Sequence, residues 1–175
     1  MIIAIDGPAA AGKGTLARNI AAAFDFAYLD TGSLYRATAK KVLDKAIDPD
    51  DAQACTVVAL TLHPEDLTVE GLRTEIVGQV ASKVSVIPDV RAALLRFQRD
   101  FAAEPPGGKA GAVLDGRDVG TVVCPEAEVK FFITASSEVR AERRFKELRE
   151  AGENVIHARV LAEMRERDER DSTRA

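Results

Sequence analysis

The chain has no tryptophan, two cysteines, two histidines and no long uncharged run. Cys55 and Cys124 match no metal-ligand spacing and read as small reduced core residues of a cytoplasmic protein. His63 and His157 stand alone, so neither comes with a ready catalytic partner. The longest stretch free of Asp, Glu, Lys and Arg covers 13 residues, 52–64. A membrane-spanning helix needs about 18 or more apolar residues, so no membrane association is expected. No basic segment precedes Ile2 and Ile3, which argues against a signal peptide. Positive charge is not in excess either. The net charge is −4, which excludes a chain-wide basic footprint for a nucleic acid polymer.

What remains is an ordinary globular composition over 175 residues, 46% hydrophobic and 30% charged. That length suits one domain, or one core with a small appended lobe. Arginine outnumbers lysine 16 to 8. Arginine is the better residue for bidentate recognition of phosphate, so its placement matters.

Residues 2–6, IIAID, read as a buried parallel strand that runs into a turn at Gly7-Pro8. Leu16, Ala17, Ile20 and Phe24 then recur at helical spacing over 13–24. A short strand is expected at 27–29. A helix capped by Thr31 follows to about Lys45, with Leu34, Tyr35, Thr38 and Val42 on one face. Strands are also expected at 56–62 and 67–69. A helix from Pro88 to about Phe101 precedes a breaker loop at 104–108. Further strands fall at 112–115 and 129–133. A helix capped by Ser137 and a charged helix over about 155–171 complete the chain. Strands separated by helices predict a parallel sheet between helical layers.

The most specific signal is Gly7-Pro8-Ala9-Ala10-Ala11-Gly12-Lys13-Gly14-Thr15. It has the glycine and lysine spacing of a P-loop, with a strand before it and a helix after it. Glycines let backbone N–H groups converge on phosphate oxygens, and the helix N-terminus adds partial positive charge. Gly7, Ala10, Gly12, Lys13, Gly14 and Thr15 are therefore the candidate nucleoside triphosphate contacts. Gly14 stands where a magnesium-binding hydroxyl is usual, so no direct protein ligand to the metal is expected. Mg²⁺ would be held through phosphates and water, with Asp6, Asp30 or Asp115 as unranked candidates to orient that water.

Asp30-Thr31-Gly32-Ser33-Leu34-Tyr35-Arg36 and Asp115-Gly116-Arg117-Asp118-Val119-Gly120 each follow a strand. Both should open on the carboxyl edge of the sheet, beside the nucleotide. Arg36 and Arg117 can then reach an acceptor phosphate. Arg167, Asp171 and Arg174 share one helical face at i, i+4 and i+7.

Taken together, GPAAAGKGT, DTGSLYR, VASKVSVIPDVR, DGRDVGTVV and RERDERDSTRA resemble the bacterial-type cytidylate kinases in order and over residues 2–175. The resemblance implies phosphorylation of CMP and dCMP by ATP. It implies a P-loop kinase fold of three layers around a parallel sheet: a core over about 1–48 and 85–175, a reduced monophosphate-binding lobe over about 49–84, and a LID within about 140–160. It assigns cytosine contacts to Ser82, Arg91 and Asp118, with Thr31 adjacent, and acceptor phosphate to Arg36 and Arg117. It assigns ribose and phosphate contacts to Arg167, Asp171 and Arg174. Arg140, Arg143 and Arg144 resemble LID arginines, with Lys13, Arg36, Arg117, Arg140 and Arg144 forming the catalytic set. A monomer acting on ATP, CMP and dCMP is expected. Relatives continue for about one further strand and helix, so an open sheet edge is expected beside the strand at 129–133. Another small acceptor (UMP, AMP or a metabolite) and a nucleotide-binding protein without phosphoryl transfer are the alternative readings.

Overall fold

A computed structural model describes residues 1–172; Arg174 lies outside them. Four parallel strands form the sheet: β1 (Ile2–Asp6), β2 (Ala27–Asp30), β3 (Ala112–Gly116) and β4 (Val129–Phe132), in the order β2-β3-β1-β4. Strands β1 and β3 are central, and their near-continuous apolar sequences follow from burial on both faces. Helix α1 (Lys13–Phe24) returns the chain from β1 to β2. Its Ala17 and Ala21 join Ile3, Ile5 and Val113 in a core, with Leu16 and Ile20 packed against it. Two alanines at i and i+4 let the helix axis approach the sheet closely. Phe24, expected on this face, is 63% exposed instead, because the buried stripe runs Lys13, Ala17, Ala21.

The chain divides into two compact units, one of residues 1–31 and 98 onward, the other of residues 32–97. The first holds the sheet, α1, and a helical hairpin of α6 (Ser137–Glu150) and α7 (His157–Ser172). Ala141 and Leu148 of α6 and Val160 and Met164 of α7 are buried, giving each helix a narrow apolar seam in an otherwise charged sequence. The capping side chain of α6 is Ser136, one residue before the expected Ser137; its Oγ accepts from Val139 N.

The second unit holds most of α2 (Thr31–Asp44), then α3 (Ala52–Leu60), α4 (Glu75–Val84) and most of α5 (Pro88–Ala103). Here the sequence expectation fails. The strand expected at 56–62 is the end of α3, and that expected at 67–69 overlaps a 3-10 turn over Pro64–Thr68. Asp51 caps α3 by accepting from Ala54 N at 2.9 Å, and Cys55, Val58 and Ala59 are buried at i, i+3 and i+4. Asp66 holds the 3-10 turn by accepting from His63 N at 2.8 Å and from Lys41 Nζ at 2.5 Å.

The expected open sheet edge is present. Among the described residues β4 pairs with β1 alone, and Phe131 and Phe132 are 41% and 71% exposed.

Candidate active site

Parallel register brings the chemistry to one edge. Asp6 lies opposite Gly116 across β1 and β3, and Asp30 opposite Asp115 across β2 and β3. The P-loop, Thr31 and the Asp115-Gly116-Arg117-Asp118 turn all leave the sheet at this carboxyl end, where open parallel sheets bind ligands.

The P-loop conformation is specified residue by residue. Gly7 has φ 147°, and a Cβ there would lie 1.9 Å from the Ile133 carbonyl oxygen, so no side chain fits. Ala10 has φ 56°, a left-handed conformation that costs an alanine about 1–2 kcal/mol. A Cβ on Gly14 would meet Asp115 Oδ2 at 3.2 Å and the Arg18 guanidinium and Tyr28 hydroxyl at 3.5 Å. The missing P-loop hydroxyl thus has a structural counterpart, because the Asp115 carboxylate stands beside that position.

Lys13 is 8% exposed and donates to the Pro8 carbonyl at 2.9 Å. Burial, and after it the Arg117 charge, pushes its ammonium down to about 7, against the opposing pull of Asp115 and Asp30. Burial also raises the Asp115 carboxyl to about 6, helped by the adjacent Asp30 charge and opposed by Lys13 and the Tyr28 hydroxyl. These mutual influences put Lys13, Arg117, Asp115 and Asp30 in one electrostatic neighbourhood.

The three acids separate by their contacts. Asp6 accepts from Val119 N through Oδ1 and from Gly120 N through Oδ2, both at 2.8 Å, so it anchors the turn that follows Asp118. Burial raises its carboxyl above the ordinary range even so. Asp115 and Asp30 lie side by side where water on a divalent ion can be held, a donor set suited to outer-sphere Mg²⁺.

Arg117 donates through Nε to Asp171 Oδ2 at 2.7 Å and through Nη1 to the Gly7 carbonyl at 3.0 Å. The geometry therefore joins the DGRD turn, the P-loop and α7. Arg167 is near enough to act on Lys13. Thr31 is buried and donates its hydroxyl to the Asp115 carbonyl at 2.8 Å. From α6, Arg140 and Arg143 reach P-loop carbonyls, while Arg144 pairs with Glu147 at 2.9 Å on its own helix.

Arg36, Ser82 and Arg91 belong to the second unit, on α2, α4 and α5 respectively. Ser82 is 1% exposed and its carbonyl accepts from the Ser85 hydroxyl at 2.9 Å. Sequence reasoning gave no role to Asp168, which pairs with Arg140 across 28 positions, nor to Tyr28, whose hydroxyl donates to Asp115 at 3.4 Å. The only sequence signal for Asp168 is its place within the motif that contains Arg167 and Asp171.

The profile of the cytidylate kinase family matches residues 3–175. The cytidylate kinase of Paramagnetospirillum magneticum is 63% identical over 174 residues, 99% of this chain and 82% of its own length. That of Rhodospirillum rubrum is 61% identical over 175 residues, 100% of this chain and 82% of its own. That of Rhodopseudomonas palustris is 55% identical over 175 residues, 100% and 81%. A phosphate loop, a buried lysine, the DGRD turn and an arginine-bearing hairpin on one sheet edge, in a chain this similar to those enzymes, place it in the cytidylate kinase family.

Proposed function

We propose that the chain transfers the γ-phosphoryl group of ATP to CMP or dCMP, giving ADP and CDP or dCDP. The observation that carries this reading is the concentration of Lys13, Arg117, Asp115 and Asp30 around the P-loop, in a member of that family.

The acceptor phosphate oxygen is already anionic, so the chemistry needs no general base. Positioning and charge neutralisation supply the catalysis. P-loop amides, together with Gly7, Ala10, Gly12, Gly14 and Thr15, cradle the triphosphate. Lys13 enters the reaction as a cation, because the anionic nucleotide favours its charged form. Arg117 and Arg36 bind the acceptor phosphate. Arg144 and Arg143 neutralise the phosphates from the LID, within about 140–160. Asp115 and Asp30 would hold the water of a bound Mg²⁺, which would supply charge neutralisation for the phosphates.

Base choice follows from donor and acceptor matching. Cytosine presents an N4 amino donor to the Asp118 carboxylate and ring acceptors to Arg91 and Ser82, with Thr31 adjacent. Uracil presents a carbonyl in place of that donor, so Asp118 would face a second acceptor. Arg167 and Asp171 contact ribose and phosphate, with Arg174 beside them in sequence. The lobe over about 49–84 carries Ser82. The buried free thiols of Cys55 and Cys124 support a reducing, cytoplasmic setting.

ADP formation with CMP, dCMP, UMP and AMP tests the assignment. CMP and dCMP should exceed the other two by roughly 10²-fold or more in kcat/KM. Asp118→Ala should narrow that margin. Equal rates with all four acceptors would overturn the base reading. ATP turnover that ignores every monophosphate would overturn the kinase reading.

A further inference from the structure

We propose that Asp168 is a positioning residue for ATP binding: it locks Arg140 onto the P-loop, and Arg140 holds the strained Ala10 conformation that aims the loop amides. The inference rests on the nucleotide reading above but assigns Arg140 to the loop backbone instead of to the moving phosphoryl group.

Arg140 is 5% exposed, although it lies in the first turn of a charged helix. Each of its guanidinium nitrogens has a partner. Nε donates to the Ala135 carbonyl at 2.9 Å, and Nη1 donates to the Ala9 carbonyl at 3.3 Å. Asp168 receives the fork in both oxygens, Nη1 to Oδ1 at 2.9 Å and Nη2 to Oδ2 at 2.5 Å. A bidentate pair of this kind fixes orientation as well as charge. A buried guanidinium committed to a carboxylate and two carbonyls has little capacity left for a ligand phosphate.

What it grips is the residue before Ala10. Every peptide bond here is trans, so the Ala9 carbonyl and the Ala10 N–H point in opposite directions. Holding that carbonyl from the α6 side fixes the Ala10 amide away from α6. Ala10 itself has φ 56°, which an alanine keeps only when its surroundings enforce it. Arg140 restrains the carbonyl before Ala10. Arg143 restrains those after it, with Nη1 at 3.4 Å from the Ala10 oxygen and 3.0 Å from the Ala11 oxygen. The two arginines differ in commitment. Arg143 is exposed with bonds to carbonyls, whereas Arg140 is buried and held by a counter-charge.

The test compares Asp168→Asn, Arg140→Lys and the charge-free pair Arg140→Met/Asp168→Leu with the wild-type chain. The last variant guards against misfolding, because replacing both the buried Arg140 and its half-buried partner Asp168 by apolar groups leaves no orphaned charge. ATP affinity by calorimetry should weaken about tenfold in all three, the loss expected for one charged hydrogen-bonding interaction. CMP affinity should stay within about twofold, and kcat of Asp168→Asn at saturating ATP within about threefold. In nucleotide-free protein, amide hydrogen exchange in the segment 7–12 should accelerate while exchange in the sheet stays unchanged. A kcat loss of about thirtyfold or more with ATP affinity intact would overturn the proposal and make Arg140 a direct catalytic group. Unchanged exchange in 7–12 would also overturn it, and that readout stands whether or not the wild-type chain phosphorylates CMP.

Discussion

The two units bury different chemistry. In the first, the buried charged side chains among the described residues are Asp6, Lys13, Asp115 and Arg140, each 5–8% exposed. In the second, the buried polar side chains among the described residues are the neutral Thr38, Ser82 and Ser85, set among Leu34, Val42, Val58, Val84, Val90 and Leu94. Burying charge is costly unless partners compensate it. Asp6 and Arg140 are compensated by backbone groups and a counter-charge. Lys13 and Asp115 are compensated less well, the first pushed down to about 7 and the second up to about 6, whereas Asp6, though also raised by burial, keeps two backbone donors. The difference separates stability from function. The second unit is packed for stability, whereas the buried Lys13 ammonium carries a burial cost that an anionic ligand would relieve.

Substitutions should break the two units in different ways. Arg117→Ala has the largest expected effect, a fall of roughly 10³-fold in kcat/KM in steady-state assays, because on the proposed reading it removes a cation from the acceptor phosphate. Asp115→Asn should lower kcat by roughly 10²-fold, with the melting temperature kept or raised. The sign for stability follows from burial. The folded carboxyl titrates near 6, above its ordinary range, so its favourable contribution is complete at low pH and is lost as pH rises toward 6 and above. At pH 7 the wild-type carboxylate therefore opposes folding, and the asparagine does not.

Leu94→Ala in the second unit should show the reverse pattern. Leu94 is 1% exposed, and its truncation should cost about 2–5 kcal/mol in chemical denaturation. Residual activity should be lost only as the folded fraction falls. The smallest expected effect is a pH dependence. Lys13 titrates near 7 in the ligand-free protein and higher beside a triphosphate, so the complex holds more protons above pH 7. ATP affinity should fall by up to about tenfold from pH 7 to 8. Calorimetry in buffers of different ionisation enthalpy should then report proton uptake at pH 8.

The same contrast explains what could be read in the sequence. The P-loop, β1, α1 and the DGRD turn were legible because each needs particular residues at fixed local spacing. The expected strands at 56–62 and 67–69 were wrong because Thr56-Val57-Val58 is β-branched and the apolar run is short. Such a run does not distinguish a strand from a buried helix segment. The deciding signals were the Asp51 cap and the spacing of Cys55, Val58 and Ala59. The role of Asp6 was hidden for another reason: its partners, Val119 and Gly120, lie 113 and 114 positions away. Arg140 and Asp168 sit in segments rich in Arg and Glu, where a buried pair looks like any solvated face.

The most direct measurement is Lys13→Met, read for folding stability and ATP affinity at pH 6. Below both the folded and the ordinary pKa of lysine the buried charge is present in full, so its removal should raise stability by about 1–3 kcal/mol. ATP affinity should fall by roughly 10²-fold or more in calorimetry. A variant that is less stable yet binds ATP as the wild-type chain does would contradict the account, because the lysine would then be holding the fold instead of awaiting a phosphate.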